Sequence, residues 1–492
     1  MPQNHRIRRL WALVVISTFA LIGYGLWCPS KPDLRNYDHG RPVESISGSG
    51  MAPNKLRHFE NLHLTEEECR ATFPGLTKEI DVAVAAGPFQ LSIKDASVSL
   101  LGQIKDNKMR IIRAPRPVDM SDQWKEVSTL GSNHQLRGLQ VITTKQRLMI
   151  YQRQRAALHQ INRALLTAPN PLPDVVFNLY IQDTPVSNSW SHSRPALSSS
   201  RHIFPIPHFA FWAWDQSFIR SIPHAAAATQ QIEAALPFDR KDPRAVWRGT
   251  AWFNNGASAN PKSRQDLLQA TRNAVWADVQ ALDWTSNGEN ATNAIQIEDF
   301  CRHKYIIHTE GVSYSGRLQF HQLCESVLIS PPFEWMQHTT HLVKPVYSSV
   351  LLGRSKTHLK GQDAVSGDHG EYPSLSAQKT WPVMVRPQEA NMVFVNPDWS
   401  DLEATISWLE KHPDVAHGIA QRQRALFVGR GYLSPAAETC YWRALIEGWS
   451  HVVRADDDLW EETEVLSWEE FSVRAERNQK RSRSWHSRLL LA

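Results

Sequence analysis

Beyond its N-terminal region, the chain has hydrophobic positions that recur with the periods of strands and helices. Apolar and polar residues alternate over 89–113, which predicts strands joined by a turn near Asp106-Asn107. Helical spacing over 145–166 predicts a long helix. After a proline-rich break, the apolar run 174–181 predicts a buried strand that leads into Asp183.

The C-terminal half shows the same alternation of helices and strands. The pattern predicts a helix at 263–279, a strand at 304–308 and a helix leading into a strand at 317–328. It then predicts an amphipathic helical region at 401–427 and a closing helix at 436–453. Strands that alternate with helices indicate an α/β chain with parallel sheets. The polar stretch 347–384 lacks such a period and predicts a surface insertion.

The N-terminal region is different, because residues 10–27 form an apolar run long enough to cross a bilayer. Arg6, Arg8 and Arg9 precede this run, so the positive-inside rule predicts a short cytosolic end and a lumenal body. The alternative is a cleaved signal peptide, but the run ends in a poor cleavage site at 25–29. We therefore expect a single-pass anchor followed by a flexible stem.

Composition narrows the class of protein. A hydrophobic fraction of 42% and a charged fraction of 21% over 492 residues are typical of a folded globular body. The net charge of +5 is small for this length, and much of the positive excess lies at the two ends of the chain. This distribution argues against a nucleic-acid partner.

Cysteines and a sequon fit a lumenal body, since that compartment is oxidising and thiols there can pair. Of the five cysteines, Cys28 lies at the membrane edge, and the residues alone leave three pairings open for the other four. The sequon that starts at Asn290 lies among polar residues, as a glycosylated surface loop would.

Asp183 is the first candidate for chemistry. It follows an apolar strand, and in α/β sheets ligands bind beyond the carboxyl ends of the strands. A carboxylate at that position can act as a general base on an attacking hydroxyl. The alternative is a turn residue that bonds its own backbone before Pro185.

Two further segments indicate an anion site. Arg248 stands beside Gly249, with Arg264 downstream; guanidinium groups grip a diphosphate through paired hydrogen bonds, and glycine lets backbone N–H groups approach it. In 298–318, a strand leads into a small-residue loop and then a helix, which aims N–H groups and Arg317 at an anion. The segment lacks the Gly-Lys-Ser ending of a Walker loop.

Several short blocks follow one another in a defined order over roughly residues 145–450. They are Phe-Asn-Leu-Tyr-Ile-Gln-Asp-Thr-Pro at 177–185, Phe-Trp at 211–212, Trp-Arg-Gly at 247–249, and the stretches 301–317, 320–328, 397–402 and 439–442. Their order and spacing resemble glycosyltransferase family 90, the group of protein O-glucosyltransferases and fungal capsule-associated xylosyltransferases. The chain departs from the family at Gly316, where a bulkier residue is usual, and at the longer segment 252–259.

This resemblance implies a GT-B-type α/β fold, with two Rossmann-like lobes and a cleft between them, preceded by the transmembrane helix. The expected segments are a cytosolic tail (1–9), the anchor (10–27) and a stem (28–60). They are followed by an acceptor-side lobe (61–240), a nucleotide-sugar-side lobe (241–455) and a polar basic tail (456–492). The protein would be a single-pass type II protein of the Golgi or endoplasmic reticulum membrane.

The resemblance also implies an inverting, metal-independent glycosyltransferase that needs no cofactor. It would move xylose or glucose from UDP-xylose or UDP-glucose to a hydroxyl of a glycan or of a Ser/Thr-containing protein. Two other classes stay open, a membrane-anchored carbohydrate-binding protein and a catalytically degenerate transferase. A glycoside hydrolase needs two facing carboxylates, and only Asp183 has a spacing argument.

By the same resemblance, Asp183 would be the base that deprotonates the acceptor, and Trp212 would face the acceptor or the sugar. Asp299 would lie at the nucleoside, and Arg248 and Arg317 would bind the diphosphate. The full set of expected donor-binding residues is Arg248, Gly249, Thr250, Arg264, Asp299, Gly311, Val312, Ser313 and Arg317. The resemblance also implies the disulfides Cys301–Cys324 and Cys69–Cys440.

Overall fold

The structure is a computed structural model. It describes residues 59–93, 99–114, 144–214, 216–285, 290–353, 385–461 and 465–474, without the side chains of 144–151 and Ser198. These residues belong to one compact unit, 51–492. The predicted anchor 10–27 and most of the predicted insertion 347–384 lie outside the described residues. Within those residues, no helix combines the length and apolar character that a membrane crossing requires.

A mixed six-stranded sheet forms the core of the first half. Its order is β16-β3-β2-β4-β5-β7, antiparallel from β16 to β4 and parallel from β4 to β7. The strands are β2 (Leu100–Lys105), β3 (Lys108–Arg113), β4 (Val175–Tyr180), β5 (Trp190–Ser191), β7 (Phe204–Pro205) and β16 (Leu466–Ser467). All of β4 is buried, which confirms the strand predicted before Asp183.

The second half contains a fully parallel six-stranded sheet of order β13-β14-β11-β10-β8-β9. Its strands are β8 (Ala245–Gly249), β9 (Ala277–Ala281), β10 (Tyr305–Ile307), β11 (Val327–Ser330), β13 (Pro345–Tyr347) and β14 (Met392–Phe394). Two short pairs complete the described sheets: parallel β1 (Phe89–Leu91) with β15 (Val453–Ala455), and antiparallel β6 (Arg194–Pro195) with β12 (Trp335–Met336). The prediction of an α/β chain with parallel strands is confirmed; the division into lobes at 61–240 and 241–455 stays a prediction.

Helices cover these sheets. In chain order they are α1 (Glu66–Thr72), α2 (Lys78–Val84), α3 (Thr144–Leu166), α4 (Ile222–Ala235), α5 (Ser263–Ala270), α6 (Leu318–His321), α7 (Ser348–Leu351), α8 (Leu402–Lys411), α9 (Pro413–Phe427), α10 (Pro435–Val452) and α11 (Asp458–Glu461). Short 3-10 turns lie at Ser198–Ser200, Phe209–Phe211, Phe238–Arg240, Ile297–Arg302 and Thr340–Leu342. The long helix predicted at 145–166 and the closing helix at 436–453 are confirmed within a residue at each end.

Local sequence explains several boundaries. The predicted turn between β2 and β3 forms where Asp106 and Asn107 take φ values of 53° and 57°, a conformation that Asp and Asn tolerate. The helix predicted at 263–279 is wrong beyond residue 270. Asn273 has a φ of 61°, which the helix cannot continue through, and 277–281 instead form edge strand β9.

Close aromatic packing holds the first sheet against the last long helix. The Phe177 ring stacks on Trp190 with centroids 4.7 Å apart, and the β2 glycine, Gly102, is required because a Cβ there would lie 2.1 Å from Phe177 Cζ. From α10, Trp449 Nε1 donates to the Val176 carbonyl at 2.8 Å. The closing helix therefore packs on the first sheet.

Candidate active site

The order of the parallel sheet creates a ligand-binding crevice. From β8 the chain moves outward to β9 on one side, whereas β10 pairs with β8 on the other side. Connections that leave in opposite directions open a crevice at the carboxyl ends of the two strands. Gly249 and Thr250 lie at the end of β8, and Gly311 and Ser313 lie in the loop after β10, so the fold brings these predicted donor residues to one edge.

Glycine is required at Gly249 because the Trp247 ring packs over it, 2.4 Å from where a Cβ would lie. Thr250 is buried; its hydroxyl accepts from Trp284 Nε1 at 2.9 Å, and its carbonyl accepts from Arg264 Nη1 at 2.9 Å. Gly249 and Thr250 therefore form the edge of the crevice. The Thr250 side chain is used in packing, and the missing side chain of Gly249 makes room for Trp247.

The loop after β10 packs on the guanidinium group of Arg264. The Gly311 N–H donates to the Ser313 carbonyl at 2.8 Å, and a Cβ on Gly311 would lie 3.3 Å from Arg264 Nη2. Ser313 is buried and its Oγ has no hydrogen-bond partner among the described residues, whereas Val312 is half-buried. A buried hydroxyl without a protein partner is a group that a ligand can satisfy.

Arg264 and Arg317 are two buried cations side by side. Arg264 donates only to carbonyls, those of Glu310 at 3.0 Å and Thr250, and Arg317 donates to the Arg248 carbonyl. Neither forms an ion pair with a carboxylate in the described part of the chain. Burial and the charge of Arg317 lower the pKa of Arg264 to about 9, and burial lowers the pKa of Arg317 to about 10.

This pair makes the crevice electropositive. Burial and the two guanidinium charges lower the pKa of neighbouring His308 to about 3, so that ring is neutral near pH 7. Buried charges are normally paired, and an unpaired pair of cations leaves a site that an anion stabilises. The arrangement fits a diphosphate.

Arg248 is not the free cation that the sequence predicted. Its Nη2 pairs with Asp278 at 2.9 Å, and its other N–H groups reach the carbonyls of Asn293 at 3.2 Å and Asp278 at 2.8 Å. Within the described residues, its charge is thus already compensated by Asp278. Its expected contact with the diphosphate stays a prediction, and Arg264 has the better geometry for it.

Arg248 and Arg317 nevertheless line one small cleft, whose volume of about 10 Å³ is room for about one water molecule. The rest of its lining is apolar and comprises Phe218, Ile219, Leu282, Ala294, Ile295, Ile297 and Phe300. The cleft is too small for a nucleoside in this structure, so a nucleoside site at this position stays a prediction. Asp299 lies in the same 3-10 turn as Phe300, but its carboxylate is bonded to Arg302 at 2.7 Å and is partly exposed.

Asp183 lies beyond the end of β4, near the loop that carries Arg317. Its Oδ1 is 3.6 Å from Arg153 Nη1, and its side chain is 37% exposed. Tyr314, in the loop after β10, is close enough to feel this charge: burial and the Asp183 carboxylate raise the pKa of the phenol well above its usual value. Asp183 therefore has access to solvent and faces the loop of the cation pair.

Trp212 lies in a second, wider cleft of about 300 Å³. It is 38% exposed and stacks on His159 with centroids 5.3 Å apart and planes 5° apart. Arg153, the partner of Asp183, lines the same cleft together with Trp214. The Arg163 guanidinium also lies 4.9 Å over the Trp212 ring, so the role of Trp212 at the acceptor stays a prediction.

Both predicted disulfides, Cys69–Cys440 and Cys301–Cys324, are present. Asn290 is exposed and its amide oxygen accepts from Ser217, so its glycosylation stays a prediction. Among the described residues, the one group with the ligand types and spacing for a metal is Glu233 with Cys301 and Cys324, and those two cysteines are bonded to each other.

The sequence patterns did not identify three residues of this region as site residues: Arg153, Tyr314 and His208. Arg153 is one of several cations on a long helix, and only the fold shows which one faces Asp183. Tyr314 stands in the predicted anion loop, so its position was a usable signal. His208 precedes Phe-Ala-Phe-Trp and carries no motif of its own.

Comparison with known proteins identifies a family that this chain resembles. Residues 125–352 match the family model described as glycosyl transferase family 90. The chain is 24% identical over 306 residues to an O-glucosyltransferase rumi homolog of Anopheles gambiae, which covers 58% of this chain and 63% of that protein. It is 25% identical over 321 residues to O-glucosyltransferase rumi of Drosophila pseudoobscura pseudoobscura, covering 61% and 67%.

Protein O-glucosyltransferase 1 of Homo sapiens is 21% identical over 306 residues, covering 59% of this chain and 66% of the human protein. The matches thus span about two thirds of the length of these relatives. They confirm the predicted resemblance to glycosyltransferase family 90.

Proposed function

We propose that the protein is an inverting glycosyltransferase that uses a UDP-sugar without a metal ion, because residues 125–352 match the family model of glycosyl transferase family 90. The observation that carries the proposal is the pair of buried guanidinium groups, Arg264 and Arg317, which lack carboxylate partners in the described residues and face the loop near Asp183. The names of the relatives, O-glucosyltransferases, support a sugar as the transferred group.

In the proposed reaction, the carboxylate of Asp183 takes the proton of the acceptor hydroxyl as its oxygen attacks the anomeric carbon. The new C–O bond forms as the bond from that carbon to the diphosphate oxygen breaks, and UDP leaves with the bonding electrons. Attack from the face opposite the leaving group inverts the anomeric configuration. Arg264, Arg317 and the Ser313 hydroxyl stabilise the charge that develops on the diphosphate.

The donor that we propose is UDP-xylose or UDP-glucose, and the acceptor is a hydroxyl of a glycan or of a protein. We further propose that the enzyme acts in the lumen of the Golgi or endoplasmic reticulum, as a type II membrane protein held by residues 10–27. The two disulfides support an oxidising compartment, since such bonds are rare in the cytosol.

The test is the replacement Asp183→Asn in the enzyme assayed with labelled UDP-sugars. We expect transfer to fall by about 10²–10⁴-fold, the usual contribution of a general base, while calorimetry shows unchanged affinity for UDP. Asp174→Asn is the matched control: Asp174 precedes β4 at its other end and accepts from the Asp106 N–H at 2.9 Å, which Asn can also do. Transfer that survives in the Asp183 variant would remove this residue from the base role.

Calorimetry on the unmodified chain separates the competing classes. Micromolar UDP binding excludes a lectin or a hydrolase, which have no use for the nucleotide. UDP binding without transfer or hydrolysis of any donor would instead identify a degenerate transferase.

A further inference from the structure

His208 is a buried histidine whose hydrogen bond fixes its tautomer. It caps the 3-10 turn Phe209–Phe211, and its Nδ1 accepts from the Ala210 N–H at 3.2 Å. Burial, followed by the charges of nearby His192 and Arg153, holds its pKa well below the usual value, so the ring is neutral. The one ring proton is therefore on Nε2.

No acceptor for this Nε2–H is found in the part of the chain that the structure describes, and the nitrogen is not fully buried, although the residue is only 2% exposed. An accessible donor without a protein partner is a group that a ligand can satisfy, because the ligand supplies the missing acceptor.

The free nitrogen lies against Gly316. A Cβ built on Gly316 would be 2.6 Å from both Nε2 and Cε1 of His208 and 3.0 Å from Cζ3 of Trp214. Real Cβ atoms do not approach that closely, so the two rings occupy the volume that a side chain at 316 would fill. Gly316 and His208, far apart in sequence, are thus one structural unit, next to Arg317 of the cation pair.

The unit contacts residues that belong both to the surroundings of the proposed base and to the loop of the cation pair. The His208 ring is 3.9 Å from that of Phe209, Arg153 lies 4.7 Å over Phe209, and Arg153 is 3.6 Å from Asp183. On the loop side, the Tyr314 ring is 5.7 Å from His208. The transferred sugar must lie between the base and the diphosphate, and His208 has neighbours on both of these sides.

We propose that His208 is a specificity-determining residue of the donor site, whose Nε2–H donates a hydrogen bond to a hydroxyl of the transferred pyranosyl group, and that Gly316 is the residue that admits its ring. The inference rests on the proposed function, because it needs a sugar between Asp183 and Arg317. A site that hydrogen-bonds a substrate hydroxyl discriminates strongly against sugars that lack it or orient it differently.

The test variant is His208→Asn. Asparagine is a good N-cap, so its side chain can replace Nδ1 as the acceptor for Ala210, but it cannot reach the position of Nε2. The measurement is the affinity for UDP, UDP-glucose and UDP-xylose by calorimetry on the full chain. We expect UDP affinity to be unchanged and the preferred UDP-sugar to lose about tenfold, with a matching change in the ratio of kcat/KM between the two donors.

Gly316→Ala tests the contact itself. Its methyl group collides with His208, so we expect the single variant to lose donor binding and thermal stability, and the Gly316→Ala, His208→Asn double variant to regain stability but not donor selectivity.

The outcomes distinguish the two proposals. If the unmodified chain binds neither UDP nor UDP-sugars, the proposed function fails and this inference with it. If it binds both, and His208→Asn leaves the UDP-sugar to UDP ratio and the donor preference unchanged, only the role of His208 is overturned. A Gly316→Ala variant as stable and selective as the unmodified chain overturns the proposed contact.

Discussion

Replacement of Arg317 by methionine should separate ligand binding from folding, because this cation is unfavourable to the empty protein. Burial lowers its pKa from 12.5 to about 10, and at about 1.4 kcal/mol per pKa unit the charged form costs the fold about 3 kcal/mol. Methionine removes that cost and also removes the donor to the Arg248 carbonyl, a loss of about 1 kcal/mol. We therefore expect the free energy of unfolding without ligand to rise by about 2 kcal/mol.

Binding should change in the opposite direction. A guanidinium that donates to a diphosphate contributes about 2–3 kcal/mol, so the UDP dissociation constant of Arg317→Met should rise by roughly 30- to 150-fold. The assay is denaturant unfolding of the ligand-free protein, together with thermal melting and calorimetry with UDP. The expected pattern is a more stable apo-protein with a much smaller UDP-induced rise in Tm.

Arg443→Met is the matched control. Burial lowers the Arg443 pKa to about 10 as well, but this guanidinium is satisfied by the carbonyls of Ala164, Leu64 and Leu62 and by Thr167. Its loss should destabilise the protein and leave UDP affinity unchanged. If Arg317→Met behaves like this control, with lower stability and UDP affinity within about threefold, the assignment of Arg317 to an anion site is refuted.

Two further predictions concern the acceptor side and pH. Trp212→Ala should raise the acceptor KM about tenfold by removing an exposed aromatic platform, with UDP affinity unchanged; an unchanged acceptor KM would contradict that role. Burial lowers the pKa of His192 and of His308 to about 3, so below pH 6.5 the unfolded chain binds protons that the folded chain does not. Stability should therefore fall as pH drops from 6.5 towards 3, by about 2 kcal/mol per histidine at pH 5, and an unfolding free energy that is constant between pH 7 and 5 would exclude this.

The sequence patterns predicted the elements whose signals are local. The helix at Thr144–Leu166, the strand at Val175–Tyr180 and the turn at Asp106-Asn107 each follow from periodicity or turn residues that are neighbours in the chain. The edge strand Ala277–Ala281 escaped because its alanines continue a helical period, and a half-buried edge strand has little apolar signal of its own.

The sequence could predict which segments form the site, but not which side chains in those segments contact each other. Arg248 stood out beside a glycine, yet its carboxylate partner Asp278 comes from the neighbouring strand, and only strand pairing reveals the ion pair. Likewise, Gly316 was visible as a departure from the family pattern, but the ring that fills its space belongs to His208. Partners distant in sequence require the tertiary fold.

The return of the closing helix to the first sheet has a practical consequence for anyone who shortens this protein. Cys440 in that helix is bonded to Cys69 near the beginning of the described chain, and Tyr441 Oη donates to the Pro205 carbonyl at 2.7 Å. Cutting the chain between its two six-stranded sheets would deprive the first sheet of its cover and leave an unpaired thiol on each fragment. A secreted version for crystallisation or assay should therefore keep residues 59–474, because Leu62 and Leu64 bind Arg443 and β16 pairs with β3.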